Sequence, residues 1–279
     1  MAARKPRISC EFFPPKTEAG INKLLTEVAP ALNALGPEFF SVTYGAGGST
    51  RDTTLGIVSA LVAAGIDVAP HLSFGGDDES AVASMLESYQ SKGVKRLVAL
   101  RGDIPSGTGG AAQLVYANQL VAFIRDRTGD QFRIEVAAYP EIHPEAKSYD
   151  SDLRFLKAKL DAGANSAITQ YFFNVEAYFY FLDQCAAIGI DKPIYAGIMP
   201  ITNFTNLQRF SRNSGAEIPR WICQRVHAYG DDQDSISKFG VEVVTQLCQT
   251  LLESGAPGIH FYTMNQVEPT REIYNNLGL

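Results

Sequence analysis

A carboxylate set between aromatic and proline side chains is the first group in the chain that could do acid–base chemistry. Glu11 stands in the segment SCEFFPPK (residues 9–16). Burial among apolar neighbours raises the pKa of a carboxylic acid, so the segment predicts a glutamate that keeps its proton near neutral pH and acts as a general acid. A strand-end glutamate that faces water is the alternative that this motif leaves open.

Two glycine-containing turns could bind a ligand through their backbone and flanking side chains. SVTYGAGGSTRD (residues 41–52) is typical of a strand that enters a glycine-rich turn and then a helix, where backbone N–H groups can hold an anion or a polar ring edge. Thr43 is the best functional candidate there, although a plain strand–turn–helix junction also uses glycines. In VALRGD (residues 98–103), Arg101 and Asp103 flank Gly102, which permits a ligand to approach the backbone. An internal salt bridge between Arg101 and Asp103 is the alternative.

The histidines and one group of basic residues divide into candidate ligand contacts and structural positions. His143 lies in YPEIHPE (residues 139–145), where two prolines fix the loop, and we expect it to contact a ligand. His227 and His260 lie in helical or strand-interior contexts, and we interpret them as structural. The helix after Asp150 carries three basic residues that either form a solvated face or reach a phosphate: Arg154, Lys157 and Lys159.

Several other catalytic motifs are excluded or weak. GTGGAA (residues 107–112) satisfies the dinucleotide pattern G-x-G-x-x-A, but residues 102–106 separate it from the preceding strand, so we interpret it as a flexible loop. The sequence contains no Walker loop, H-E-x-x-H pair or G-x-S-x-G elbow. The four cysteines are far apart without zinc-ligand spacing, so no metal site is predicted. No lysine falls within a predicted strand, which argues against a Schiff-base aldolase.

Charge and hydropathy exclude two classes of partner. The net charge is −6 and the pI about 5.3, and Lys and Arg are scattered, whereas a nucleic-acid-binding protein needs a basic face. No apolar run approaches the ~20 residues that span a bilayer, and the N-terminus lacks a signal-peptide core. We therefore expect a cytoplasmic protein that binds small molecules, with no nucleic acid or membrane partner.

The elements that must position these residues alternate regularly along the chain. Eight short β-type runs recur: 7–13, 39–44, 67–74, 96–100, 132–138, 166–173, 193–199 and 258–263. Between them lie amphipathic helical stretches such as 20–35, 52–64, 79–92, 150–162 and 231–254. Alternating β and α elements imply parallel strands, and eight repeats predict a single (β/α)8 TIM barrel, one α/β domain over residues 1–279. An open doubly wound sheet is the alternative.

On this scheme the polar candidates fall at the carboxyl ends of the strands. They are Glu11, Thr43, Tyr44, His71, Asp103, Tyr139, His143, Gln170, Tyr262 and Asn265. The carboxyl ends of barrel strands open on one face, where barrel enzymes carry their chemistry. The pattern therefore predicts an enzyme active site.

The same segments, taken in order, resemble the methylenetetrahydrofolate reductase family of the short bacterial type. The stretches that carry the resemblance are EFFPPK (11–16), SVTYGAGGSTRD (41–52), APHL (69–72), VALRGD (98–103), AAYPEIHPEA (137–146), DAGAN (161–165), ITQYFF (168–173) and HFYT (260–263). They run from the first predicted strand to the last, so the likeness covers essentially the whole chain. The loop after His71 departs from the family pattern, because it reads Leu72-Ser73-Phe74 where relatives often have threonine and cysteine.

The resemblance implies bound FAD and hydride transfer from NADH or NADPH, through the flavin, to 5,10-methylenetetrahydrofolate. The product would be 5-methyltetrahydrofolate, in one-carbon metabolism and methionine biosynthesis. It implies FAD contacts at Thr43, Tyr44, His71, Leu100, Arg101, Gly102, Asp103, Tyr116, Ala117, Tyr139, His143, Asp152 and Lys159. It also implies two catalytic residues, Glu11 as general acid and Asp103 near both flavin and pterin, and folate or nicotinamide contacts at Gln170 and Phe204. Tyr262 is a further expected substrate contact.

The resemblance further implies that nicotinamide and folate use the flavin face in turn, which predicts ping-pong kinetics. Family members often self-associate, so a homo-oligomer is expected. No residue that reads the ribose 2′ position can be assigned, and the choice between NADH and NADPH stays open. Three alternatives remain at this point: another barrel flavoenzyme such as a proline-dehydrogenase-like oxidase, a cofactor-free barrel lyase or hydrolase, and a module that binds folate or flavin without turnover.

Overall fold

Eight parallel strands close into a barrel in chain order. The computed structural model describes residues 5–44, 51–74, 79–101 and 116–279. The strands are β1 (Arg7–Phe12), β2 (Phe39–Val42), β3 (Val68–Leu72), β4 (Arg96–Ala99), β5 (Arg133–Ala138), β6 (Ser166–Thr169), β7 (Ile194–Ile198) and β8 (Gly258–Tyr262). Each strand pairs with the next, and β8 pairs with β1. The (β/α)8 barrel prediction is confirmed, and the open-sheet alternative is wrong.

Helices surround the barrel between successive strands. They are α1 (Glu18–Lys23), α2 (Ala29–Asn33), α3 (Arg51–Ala63), α4 (Glu79–Ser91), α5 (Ala117–Thr128), α6 (Tyr149–Asp161), α7 (Val175–Ala187), α8 (Phe204–Ser214), α9 (Arg220–Tyr229), α10 (Gln233–Glu253) and α11 (Thr270–Asn276). A π-helical turn, Leu24–Val28, joins α1 to α2. Among the described helices, none is both long and apolar enough to cross a bilayer.

One predicted strand boundary is wrong. The sixth run was expected to continue to Phe173, but β6 ends at Thr169. Phe172 is buried and its ring stacks on Tyr178 of α7 with centroids 5.3 Å apart, so this apolar segment packs in the outer shell. Gln170 therefore follows β6 and lies at the mouth of the barrel.

Strand alternation sends apolar side chains outward to the helices. In β1, Ile8, Cys10 and Phe12 are buried, and the Phe12 ring stacks on Phe40 of β2 at 4.8 Å. These contacts form part of the large core between strands and helices. Successive strand residues point to opposite faces, so Ser9 and Glu11 face the barrel interior.

The interior at the amino-terminal end of the barrel is charged. Glu135 of β5 is fully buried and meets the guanidinium groups of Arg7 at 2.6 Å, Arg133 at 3.5 Å and Arg96 at 3.9 Å. The Ser166 hydroxyl donates to the same carboxylate. Burial is the largest single influence on the pKa of Arg7 and lowers it, but the charge and hydrogen bond of Glu135, together with Tyr195, outweigh burial and raise that pKa overall. The cluster closes this end of the barrel with paired charges.

An apolar layer separates that charged end from the opposite mouth. Phe39, Ala69, Val98 and Ile168 pack together inside the barrel. The Phe39 ring lies beneath Arg7, with the guanidinium carbon 4.8 Å from its centroid. The part of the barrel interior on the other side of this layer opens at the carboxyl ends of the strands.

Candidate active site

Two adjoining cavities occupy the carboxyl ends of the strands. The first has a volume of about 630 Å³ and lies over the ends of β3, β4 and β5 and the starts of α5 and α6. Its described lining includes ten residues expected to contact flavin: Tyr44, His71, Leu100, Arg101, Tyr116, Ala117, Tyr139, His143, Asp152 and Lys159. These ten residues come from six separate segments of the chain and form half of the described lining of the first cavity.

Helix α6 presents two of these residues to the first cavity. Its N-cap is Ser148, whose side chain accepts a hydrogen bond from the Ser151 N–H. One turn in, Asp152 Oδ2 accepts the His143 N–H at 2.8 Å. Two turns further, Lys159 Nζ donates to the Ala137 carbonyl at 2.5 Å. Burial lowers the pKa of Lys159 to about 8, against a smaller opposing effect of Asp152.

The loop of His143 is held in a fixed conformation. His143 Nδ1 accepts the Glu145 N–H at 3.0 Å, and its ring meets Tyr139 edge-on with centroids 4.5 Å apart. Ile142 adopts a φ of 71°, a conformation that β-branched residues rarely take. Burial lowers the pKa of His143, and the carboxylate of Asp152 opposes this. The His143 imidazole at the cavity wall is therefore largely neutral near pH 7.

Arg101 forms an ion pair that the sequence did not predict. Its Nη1 lies 2.5 Å from Glu145 Oε2, and this hydrogen bond lowers the pKa of Glu145. The expected alternative partner, Asp103, lies outside the described residues, as does Gly102. Arg101 therefore ties the end of β4 to the His143 loop, across the wall of both cavities.

The second cavity, of about 490 Å³, lies over the mouth of the barrel and contains Glu11. Three groups surround one oxygen of this carboxylate, Oε2. The Ser41 hydroxyl donates to it at 3.1 Å, and two imidazole nitrogens approach it, His71 Nε2 at 3.1 Å and His260 Nε2 at 3.5 Å. The His71 contact is a charge contact, since its geometry does not satisfy that of a hydrogen bond.

The expected direction of the Glu11 pKa is wrong for this arrangement. Burial is the largest single influence and raises the pKa, as the apolar segment indicated. The charge of His71 and the close contacts of both histidines with Oε2 together outweigh burial and lower the pKa well below its ordinary value. Phe12 contributes little because it points outward, and Phe13 is 41% exposed. The ligand-free carboxyl of Glu11 therefore favours its ionised form.

Three members of this cluster were missed or misread in the sequence. His260 was interpreted as structural, but it lines the second cavity beside Glu11. Ser41 contacts Glu11, and Ser9 Oγ lies 2.8 Å from His260 Nδ1. The usable signal was strand alternation: Ser9 shares a face with Glu11, and His260 shares one with Tyr262. The pairing of β1 with β8 then places Ser9 opposite His260.

Gln170 and Tyr262, both expected substrate contacts, line the second cavity. Tyr262 donates its hydroxyl to the Thr169 carbonyl at 2.7 Å, and burial raises its pKa well above the ordinary value. Its ring lies against Gly197, where an added Cβ would stand 2.8 Å from Tyr262 Cε2. Gln170 Oε1 accepts the Tyr171 N–H at 3.0 Å. Among the described residues nothing accepts from the Gln170 side-chain amide, so it can serve a ligand.

Two expected contacts lie outside both cavity linings. Thr43 donates its N–H to the Phe12 carbonyl, and its own carbonyl accepts the Thr54 hydroxyl. Phe204, the first residue of α8, is 9% exposed and its ring packs edge-on against His227 at 5.5 Å. Both stay predictions, and Phe204 would have to turn from His227 to reach a ligand.

The cavities share a wall, which determines what the site can do. The residues common to both linings are His71, Leu100, Arg101, Ala137, Tyr139, His143 and Glu145. A planar group against this wall would have the first cavity behind it and Glu11 in front. No group of three His, Cys, Asp or Glu residues suited to a metal occurs in the parts of the chain that the structure describes. The arrangement suits a bound organic cofactor beside a proton donor.

Comparison with known proteins agrees with this geometry. The family model described as methylenetetrahydrofolate reductase matches residues 1–278. The chain is 39% identical to the 5,10-methylenetetrahydrofolate reductase of Escherichia coli strain K12 over 98% of its length and 90% of that protein. It is 36% identical to methylenetetrahydrofolate reductase (NADH) 1 of Arabidopsis thaliana, over 97% of this chain and 48% of the plant protein.

Solved structures resemble the fold at low identity. A Clostridium thermocellum protein described as binding two copies of 5-methyl-5,6,7,8-tetrahydrofolic acid gives a TM-score of 0.67 at 19% identity, over 99% of this chain and 94% of that one. A dihydropteroate synthase from Coxiella burnetii gives 0.54 at 13%, over 100% and 94%. These likenesses support the barrel alone.

Proposed function

The chain belongs to the methylenetetrahydrofolate reductase family, and we propose that it reduces 5,10-methylenetetrahydrofolate to 5-methyltetrahydrofolate, using NADH or NADPH and a bound FAD. Glu11 is the proton donor, and Asp103, which lies outside the described residues, remains the second expected catalytic carboxylate. The proposal treats residues 1–279 as one catalytic barrel domain in the cytoplasm that self-associates.

The contiguity of the two cavities is the observation that carries the proposal. The first collects the described residues expected to bind FAD, and the second collects Glu11, Gln170 and Tyr262. They meet along one wall, so a flavin ring and a pterin ring can lie face to face there. A cofactor-free lyase would leave the first cavity without a role.

The chemistry of the first cavity fits a flavin dinucleotide. Lys159 is a half-buried cation whose Nζ donates to a neutral group, the Ala137 carbonyl, and Arg101 is a second cation on the same wall. Cations at the rim suit the phosphates and the electron-rich end of the flavin, and Tyr116 with Phe155 adds stacked aromatic rings with centroids 6.0 Å apart. When bound, FAD would accept a hydride from the nicotinamide and pass it to the folate methylene carbon.

Residues of the second cavity would bind and activate the folate. The methylene carbon bridges N5 and N10, and its C–N10 bond opens when N10 receives a proton. Glu11 is placed to give that proton, since its Oε2 is anchored and its Oε1 accepts no bond from the described residues. Folate lying over Oε1 would exclude water and raise the pKa of Glu11 from its low ligand-free value, so that the carboxyl could hold a proton in the complex. The free amide of Gln170 can donate to a pterin oxygen or nitrogen. Orientation by these groups lowers the entropic cost of reaching the transition state.

The shared wall supports ping-pong kinetics. Nicotinamide and folate both need the same open face of a flavin lying against Tyr139 and His143, so they would bind in turn. Parallel lines are expected when initial rates are plotted with both substrates varied. NADH is the first cosubstrate to test, because the Arabidopsis relative carries it in its name.

The test follows flavin absorbance in the absence of oxygen. In the purified protein loaded with FAD, the flavin absorbance should fall on addition of NADH or NADPH. It should return when 5,10-methylenetetrahydrofolate is added. Glu11→Gln should bleach normally but recover at least ~100-fold more slowly, because it cannot supply the proton. Glu272→Gln, an exposed change on α11, is the matched control.

A loss of flavin absorbance without recovery in the parent protein would support a flavoenzyme but reject the folate assignment. Another barrel flavin oxidoreductase would then be favoured. Protein that binds neither FAD nor nicotinamide would reject the proposed function as a whole.

A further inference from the structure

The two oxygens of Glu11 have different surroundings. Oε2 is contacted by Ser41, His71 and His260, whereas Oε1 accepts no hydrogen bond from the described residues of the second cavity. A carboxylate anchored by one oxygen presents the other in a fixed direction. The groups around Oε2 therefore control both the orientation of Glu11 and the charge that it can carry.

Among these groups His260 is the most deeply buried. It is fully buried in β8, and its Nδ1 lies 2.8 Å from Ser9 Oγ while its Nε2 faces Glu11. A serine hydroxyl can donate to a neutral imidazole nitrogen or accept from a protonated one. Ser9 thus allows His260 to exist in either charge state without leaving a buried polar atom unpaired. The same bond fixes which way the ring faces.

The titratable surroundings of His260 are few. The titratable groups on its own side of the barrel interior lie on three strands. They are Glu11 of β1, His71 of β3 and Tyr262 of β8. His71 is next to Glu11, and the Tyr262 ring is 5.2 Å from the His260 ring. From β2, Phe39 packs against it at 6.2 Å, and β7 offers Gly197 opposite. The Phe39 ring separates His260 from the guanidinium groups of Arg7 and Arg96. Glu11 is therefore the one carboxylate among the described residues that His260 faces.

We infer that His260, held by Ser9, is a positioning residue that stabilises the ionised Glu11 left after each proton delivery. The inference rests on the proposed function. In that reaction N10 gains the proton of Glu11, the electrons of the C–N10 bond move to N10, and Glu11 becomes a carboxylate. A buried carboxylate needs a compensating partner, which the Nε2 side of His260 supplies. A proton from solvent, entering through the second cavity, then restores Glu11.

The first test is the pH profile of flavin recovery by methylenetetrahydrofolate, measured apart from the NADH step. Recovery should slow as pH rises and Glu11 loses its proton. His260→Gln removes an attraction that favours the ionised form, so the midpoint of this decline should move upward by about one pH unit. Ser9→Ala should move it the same way by about half as much, and Ser9→Thr, which keeps the hydroxyl, should restore it.

Ser166→Ala is the matched control for loss of a hydroxyl inside the barrel. Ser166 is fully buried and bonds Glu135 at the opposite end of the interior. This change should lower the melting temperature without moving the midpoint. A midpoint that stays fixed in both His260→Gln and Ser9→Ala, with rates lowered equally at every pH, would overturn the inference and leave His260 a packing residue.

The second test needs neither cofactor nor turnover. The chain has four histidines, so ¹⁵N-histidine spectra are simple to assign, with His260→Gln identifying one set of signals. Glu11→Gln should shift the His260 signals, because it removes the charge that faces Nε2, while the His227 signals stay unchanged. Identical His260 signals in the parent protein and Glu11→Gln would overturn the inference. A parent protein whose flavin never recovers with folate would instead reject the proposed function, before any variant is compared.

Discussion

Lys159→Met is expected to stabilise the ligand-free protein and weaken its binding of FAD. Lys159 is half-buried beside the first cavity, and its partial removal from water lowers its pKa from 10.5 to about 8. A lysine binds its proton more weakly in the folded than in the unfolded chain under these conditions, so below pH 8 its charge opposes folding. Methionine has a similar length and carries no charge to bury.

The magnitude follows from the difference between the two pKa values. Each pKa unit is worth about 1.4 kcal/mol, which gives about 3 kcal/mol below pH 8, and screening by water in the open cavity reduces this to about 2 kcal/mol. Between pH 8 and 10.5 the unfolded chain holds the proton and the folded chain does not, so the stability of the parent protein rises toward that of the variant. Above pH 10.5 the effect disappears.

The assay is thermal unfolding of both proteins without FAD at pH 7, 9 and 10.5. For a chain of this size, about 2 kcal/mol corresponds to a rise of about 4–8 °C in Tm at pH 7. Lys157→Met is the control, since Lys157 lies on the same helix with an exposed Asp161 partner at 3.0 Å. A variant no more stable than the parent at pH 7, or a difference that does not shrink by pH 10.5, would refute the reasoning. FAD titration should show at least tenfold weaker binding.

Three further changes have distinct expected outcomes. Gly197→Ala should destabilise the fold by about 1–3 kcal/mol in denaturant unfolding and slow flavin recovery, because the new Cβ would stand 2.0 Å from the Thr169 carbonyl oxygen and 2.8 Å from the Tyr262 ring; unchanged stability and unchanged recovery would contradict this. Glu135→Gln should lower the free energy of unfolding by about 3 kcal/mol, since it removes the buried partner of Arg7 while Arg7 and Arg96 keep Glu38, yet leave the folate reaction of the folded protein intact. Asp152→Ala should weaken FAD binding about tenfold in titrations by freeing the His143 loop, and equal affinity would reject that role.

Much of the fold, and several residues that line the two cavities, could be predicted from local sequence patterns. The alternation of apolar runs with amphipathic helices predicted the order of strands and helices. The polar residues at the ends of the apolar runs were predicted to be site residues, and Glu11, His71 and Tyr262 are among them. Strand alternation alone would also have added Ser9, which shares a face with Glu11 in β1. The resemblance supplied Lys159 and Asp152, which a helix pattern alone leaves ambiguous.

The charge state of Glu11 could not be predicted from its neighbours in sequence. Phe12 and Phe13 indicated an apolar setting, but one points outward and the other is largely exposed. The groups that lower the pKa of Glu11 come from β3 and β8, and they reach it only because the barrel closes. Arg101 posed a similar problem, since its partner Glu145 lies on a different loop from Asp103.

The pairing of β1 with β8 has a consequence for how the protein is synthesised. Every described residue of the first cavity lies between Tyr44 and Lys159, whereas the bond between Ser9 and His260 joins the two ends of the chain, 251 residues apart. A nascent chain on the ribosome therefore presents all the described residues of the first cavity well before β8 emerges. Glu11 gains His260, the last of its three partners, only when the final strand docks, so the acid–base centre would be the final part of the site to mature.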